Sequence, residues 1–138
     1  MAFLAIDYGK KRIGLAVGSI FPKGAGVIDG AKPIEKITEE IAQICEKEDI
    51  LKIIIGLPIR SQGEEGQIAQ DARELGTALA EKTGLEIVYE PEQYTSASAA
   101  EILGESEKKY SRESGKLDEM AAILILEQYV NGQKEELA

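Results

Sequence analysis

The sequence predicts an α/β protein whose central mixed sheet of five strands carries helices on both faces. Three observations point there: two short apolar runs joined by a turn at the start, β-branched runs further on, and helically spaced apolar residues between and after them. Residues 2–6 form an apolar run that stops at the turn-like Asp7-Tyr8-Gly9-Lys10-Lys11. Ile13 to Val17 resumes the strand pattern, so the two runs read as a hairpin. Residues 25–31 offer a weaker third strand around Val27 and Ile28, and Pro33 punctuates the chain.

Apolar residues at 34, 37, 41 and 44 mark one helix face. Leu51 to Ile55 is a compact β-branched run ended by Gly56-Leu57-Pro58, as in a strand buried on both faces. Ile68, Ala72, Leu75 and Leu79 keep helical spacing again, with Gly84 placed as a C-cap. Leu85 to Tyr89 is the next strand, stopped by Pro91, and Thr95 caps a helix over roughly 96–103. Residues 104–117 are polar and loop-like. From Asp118 a helix apolar almost all round runs to about Val130, and 131–138 reads as a frayed tail. The order βββ-α-β-α-β-α-α implies three antiparallel strands followed by β-α-β crossovers.

A chain of 138 residues with 43% apolar and 30% charged residues makes one globular domain, 1–138. No apolar run approaches the roughly 20 residues that cross a bilayer, and the N-terminus lacks the pattern of a signal peptide. No membrane role and a cytoplasmic home follow as the default. Cys45 is the only cysteine, so cysteine zinc sites and intrachain disulfides are excluded, and it reads as core filler rather than a nucleophile. There is no histidine, so acid–base or metal chemistry falls to carboxylates, Lys or Tyr. The net charge of −9 opposes non-specific binding of nucleic acid at long range.

Three acids stand where an α/β sheet gathers ligands. Asp7 ends the first strand, Glu92 follows the last, and Asp118 opens the final helix on the face continued by Ala121, Ala122 and Ile125. Carboxylates drawn together repel unless they share a proton or a cation. An oxygen-only set suits Mg²⁺ or Mn²⁺, and two such ions about 4 Å apart clamp the oxygens of an in-line phosphodiester displacement. Each acid also fits an ordinary role. Asp7 fits a bend, Glu92 a solvated carboxylate among 25 acidic residues, and Asp118 a helix N-terminal acid beside Glu119.

Residues 3–17, with Ile6-Asp7-Tyr8-Gly9-Lys10-Lys11-Arg12-Ile13-Gly14 at their centre, resemble the opening hairpin of the YqgF/RuvX family of Holliday junction resolvases and pre-16S rRNA nucleases. Ile54-Ile55-Gly56-Leu57-Pro58 with Gly63-Glu64-Glu65-Gly66 is similar to that family's Gly-Leu-Pro loop. Leu117-Asp118-Glu119-Met120-Ala121-Ala122 is similar to its last acidic motif. The resemblance spans nearly the whole chain. It implies an RNase H-like fold, Mg²⁺ or Mn²⁺, hydrolysis of a nucleic-acid backbone, and Asp7, Glu92 and Asp118 as the catalytic and metal-holding acids. One stretch departs from the pattern. Where the family has Asp-Glu-Arg, this chain has Pro91-Glu92-Gln93, followed by Tyr94 and then Thr95 at the Ser/Thr position. Gln93 offers a neutral amide in place of a bidentate guanidinium, so substrate affinity or turnover is affected rather than the fold.

The remaining candidates are substrate contacts. Gly56 and Pro58 belong to a strand-to-helix loop of the kind that receives phosphate, with Arg60 beside them; a plain flexible turn accounts for the same glycines. Lys10, Lys11 and Arg12 flank Asp7, while Lys108, Lys109, Arg112 and Lys116 precede Asp118. Both clusters suit a phosphate backbone and equally suit solvated turns. Gln93 and Thr95 complete the substrate set, and Tyr94 is a candidate for base stacking.

The leading expectation is an endonuclease acting on structured RNA, pre-16S rRNA above all. The alternatives are a resolvase-like nuclease on branched DNA and a non-catalytic RNA or ribosome-assembly binder. A phosphotransferase of the actin–hexokinase type needs a second similar domain that this length does not hold. A monomer suffices for trimming RNA, whereas a two-fold junction calls for a homodimer.

Overall fold

The computed structural model describes residues 2–58, 66–92 and 115–137, with side chains through Gln133. Five strands form one sheet: β1 (Ala2–Asp7), β2 (Arg12–Gly18), β3 (Lys23–Asp29), β4 (Ile50–Pro58) and β5 (Glu86–Glu92). Their spatial order is β3-β2-β1-β4-β5. β1 pairs antiparallel with β2 and β2 with β3, whereas β4 lies parallel to both β1 and β5. The mixed sheet expected from the sequence is therefore present. Its middle strand, β1, has the hairpin on one side and the crossover strands on the other.

Three helices are described: α1 (Ile34–Lys47), α2 (Gln67–Thr83) and α3 (Lys116–Leu137). Period-two alternation in the strands sorts them between the faces. Leu4, Ile6, Ile13, Leu15, Ile53, Ile55 and Leu57 pack with Ile37, Ile41, Ala72, Leu75 and Leu79 under α1 and α2. The intervening Ala5, Ala16 and Ile54 pack with Ala122, Ile125, Leu126 and Tyr129 of α3. β4 is thus buried on both faces, with Ile53, Ile54 and Ile55 fully enclosed. No helix among the described residues is long and apolar enough to cross a membrane.

Several boundaries differ from the expectation. β4 continues through Gly56 and Leu57 to Pro58, and β5 passes through Pro91 to Glu92. Among the described residues β5 has a neighbour on one side only, and an edge strand accommodates a proline that has no N–H to give. α3 begins at Lys116, so Asp118 is its third residue rather than its first, and the helix extends past Val130 to Leu137. Gly84 does close α2, in the left-handed conformation that a helix C-terminus favours (φ 72°). The helix expected over 96–103 lies outside the described residues.

Candidate active site

The same alternation that sorts the core aims the site. Along β1, Asp7 follows Phe3 and Ala5 on the α3 face. Along β5, Glu92 follows Val88 and Glu90; along β2, Arg12 belongs to the series of Gly14 and Ala16. Pro58 follows Ile54 and Gly56 in β4. All four series end beside the start of α3, where Asp118 stands. Asp7, Lys10, Lys11, Arg12, Pro58, Glu92 and Asp118 accordingly line one open cavity of about 390 Å³, together with Tyr8, Gly9 and Ile68.

Two glycines let α3 approach closely enough to bring Asp118 there. A Cβ on Gly14 would collide with the backbone carbonyl of Asp118. Gly14 is also the residue opposite Asp7 in the β1–β2 ladder, so Asp118 sits directly over the neighbour of Asp7. A Cβ on Gly56 would stand 2.5 Å from Ile125 Cδ1. Gly56 therefore serves the packing of α3 on β4, and it does not line the cavity.

Polar contacts fix both ends of this arrangement. At β3 the ladder slips between Leu15 and Ala16, and the Gly26 N–H donates to Glu119 Oε2 at 2.9 Å. Lys116 Nζ lies 3.5 Å from Glu119 Oε1, so Lys116 braces this anchor and is not among the cavity residues. At β5 Gln128 Nε2 donates to Glu90 Oε1 at 2.9 Å and to the Pro91 carbonyl at 2.6 Å, which ties the strand end carrying Glu92 to α3. The sequence marks Glu119 as a helix-end acid within the last acidic motif, Tyr8 as a turn residue and Ile68 as a helix-face residue, and it gives no role to Gln128. Their partners belong to other elements, and only the spacing of Gln128 after Ile125 hinted at a sheet-facing position.

The electrostatics are balanced and tense. Three basic side chains and three carboxylates line the cavity, so its formal charge is zero despite the acidity of the whole chain. Burial pushes the Glu92 carboxyl above the usual range, and a hydrogen bond with Asp7 pulls it back. Two carboxyl groups at hydrogen-bonding distance need a shared proton or a cation between them. Tyr8 also has its pKa raised, by burial first and then by Asp71 and Glu74, so its hydroxyl stays protonated. Asp118 is drawn to Arg12, with Nε 3.1 Å from Oδ2. Both of those atoms are buried, yet neither has a hydrogen-bond partner among the described residues. The charges touch without an aligned N–H.

With Asp118 turned to Arg12, no three acidic or thiol side chains among the described residues converge on one point. The donor chemistry still fits a hard divalent cation: oxygen ligands only, one buried carboxylate oxygen without a hydrogen bond, and a carboxyl pair at its side. Arg60, Gln93 and Thr95, like Tyr94, Lys108, Lys109 and Arg112, lie outside the described residues.

Comparison with known proteins bears on the family and the fold. The family described as "RuvX: Holliday junction resolvase" matches residues 1–132. A Thermus thermophilus protein named "Putative pre-16S rRNA nuclease" is 34% identical over 131 residues, covering 91% of this chain and 94% of its own length. A protein of the same name from Sulfurihydrogenibium is 35% identical over 130 residues, covering 93% and 88%. Among solved structures, Thermus thermophilus RuvC superposes with a TM-score of 0.62 over 96% of this chain and 97% of RuvC. At 14% identity that likeness speaks for the shared RNase H-like fold alone.

Proposed function

The chain belongs to the RuvX Holliday junction resolvase family, and on that premise we propose that it is a divalent-metal-dependent endonuclease that trims the 5′ end of pre-16S rRNA in the cytoplasm. The observation that carries the proposal is the cavity in which Asp7, Glu92 and Asp118 face Lys10, Lys11 and Arg12. The name shared by the curated relatives favours the ribosomal precursor over branched DNA.

In this reading Asp7, Glu92 and Asp118 would hold Mg²⁺ or Mn²⁺, which would supply Lewis-acid polarisation of the phosphoryl group whose phosphorus is attacked. The chain's own residues do the rest. Lys10 and Lys11, exposed at the tip of the β1–β2 hairpin, bind backbone phosphates and draw RNA to an otherwise acidic protein. Tyr8 lines the cavity, with a hydroxyl that burial and then Asp71 and Glu74 keep protonated. Pro58 and Ile68 add apolar surface to the cavity lining. α3 carries Asp118 at one end of its path and, through Gln128, steadies the strand that presents Glu92.

The test is incubation of an rRNA precursor bearing its 5′ leader with Mn²⁺ or Mg²⁺, alongside a four-way DNA junction. The proposal expects cleavage of the leader, loss of cleavage on chelation, a loss of at least about a hundredfold in Asp7→Asn, and slower action on the junction. Tight RNA binding with no cleavage by the wild type contradicts it and identifies a binder.

A further inference from the structure

We infer that Arg12 is an exchangeable counter-ion: it neutralises Asp118 while the site is free of metal, and it passes to a nucleic-acid phosphate once a divalent cation takes that carboxylate. The inference rests on the metal-dependent reading above and adds an order to it, with the cation preceding firm engagement of the substrate by Arg12.

Four observations carry it. Arg12 and Asp118 meet at 3.1 Å, but the contact lacks a hydrogen bond although both atoms are buried. An ion pair removed from water is held well when its donors and acceptors are also satisfied; one that is not is easily given up. Next, the backbone of Arg12 is fixed while its side chain has somewhere to go. The residue is laddered to Asp29 at the start of β2, and its side chain is 32% exposed at the wall of the cavity it shares with Lys10 and Lys11.

Charge then decides the direction. Arg12 is the cation placed against Asp118, and it shares the cavity with Lys10 and Lys11. A divalent cation on the carboxylates leaves Arg12 surplus and repelled, beside two lysines already suited to phosphate. Finally, the guanidinium is a planar fork that matches two phosphate oxygens, whereas its contact with Asp118 is through Nε without a hydrogen bond.

The exchange is tested with Mn²⁺ titrated by calorimetry and with anisotropy of a fluorescent RNA leader fragment, the latter with Ca²⁺ and without divalent ions. The proteins are the wild type, Arg12→Gln, Arg12→Lys, Asp118→Asn and Asp7→Asn, each checked by thermal melting. Removing the internal competitor in Arg12→Gln is expected to tighten Mn²⁺ binding about threefold or more. The same variant is expected to lose about tenfold in RNA affinity with Ca²⁺ and little without it, with Arg12→Lys intermediate. Asp118→Asn, which frees Arg12 from the other side, is expected to bind RNA more tightly in the absence of divalent ions.

Unchanged or weaker Mn²⁺ binding by Arg12→Gln, or an RNA loss of equal size with and without Ca²⁺, overturns the exchange. If wild-type Mn²⁺ binding depends on Asp7 while Arg12 has no effect on it, only the exchange fails. If the wild type binds no Mn²⁺, or Asp7→Asn binds it equally well, the metal reading fails and the exchange falls with it.

Discussion

The backbone carbonyl of Asp118 occupies the space in which a Cβ on Gly14 would stand, and Gly14 is the ladder partner of Asp7. A glycine in mid-strand therefore sets how closely two of the three acids approach. Gly14→Ala must push the first turn of α3 off the sheet, an overpacking that costs about 1–3 kcal/mol. Catalysis tolerates misplacement less well than stability does, because a shift of about 1 Å in a reacting group can cost about a hundredfold. The variant is expected to melt lower yet remain folded, and to lose at least about tenfold in cleavage at a temperature where it is fully native.

Glu119 is the anchor on the opposite side of the same turn. Its carboxylate accepts the Gly26 N–H at the slip in the β2–β3 ladder, with its side chain only 16% exposed. Glu119→Ala leaves that N–H without its acceptor, at a cost of about 1–3 kcal/mol. Glu119→Gln keeps an oxygen in place and should recover most of the loss. Denaturant unfolding of the pair checks this; equal destabilisation by Ala and Gln would assign the effect to the Lys116 contact instead.

At the far end of α3, Tyr129 is a shared acceptor. Its hydroxyl receives Lys52 Nζ at 2.9 Å and Gln133 Nε2 at 2.8 Å, while Lys52 also lies over the rings of Phe3 and Tyr129. Tyr129→Phe keeps the ring packing and removes both bonds. A loss of about 1–2 kcal/mol in unfolding free energy is expected, with cleavage unaltered, since this end lies away from the cavity residues.

Cys45 gives a pH signature. Burial pushes its thiol from 9.0 up to about 11, so the folded state favours the protonated form. A group whose pKa is raised by folding contributes stability that is complete below its unfolded value and is lost as pH rises through its folded value. The wild type should therefore lose stability relative to Cys45→Ala between pH 9.0 and about 11, and the two should run parallel at lower pH. Thermal melts across that range measure the difference. The same burial predicts slow labelling of the native thiol at pH 8 and fast labelling after unfolding.

Much of this was legible in the sequence because it depends on local pattern. Alternation of Leu4 and Ile6 with Ala5 and Asp7 already places Asp7 on one definite face, and the spacing of Ile34, Ile37 and Ile41 marks α1 before any tertiary contact is known. Other features depend on topology. Pro91 reads as a stop until β5 is known to be an edge strand. The bond from Gly26 to Glu119 needs the ladder slip and the path of α3 across the sheet, neither of which leaves a local trace. The contact of Arg12 with Asp118 joins the second strand to the last helix, and periodicity within either element is silent about it.

The most direct measurement of the central claim is an anomalous-scattering map from crystals of the wild-type protein soaked in Mn²⁺. The account predicts a peak in the cavity with Asp7 and Glu92 oxygens at bonding distance and Asp118 turned away from Arg12 toward it. A peak confined to other surface carboxylates, or an empty cavity at Mn²⁺ concentrations that support cleavage, would contradict it.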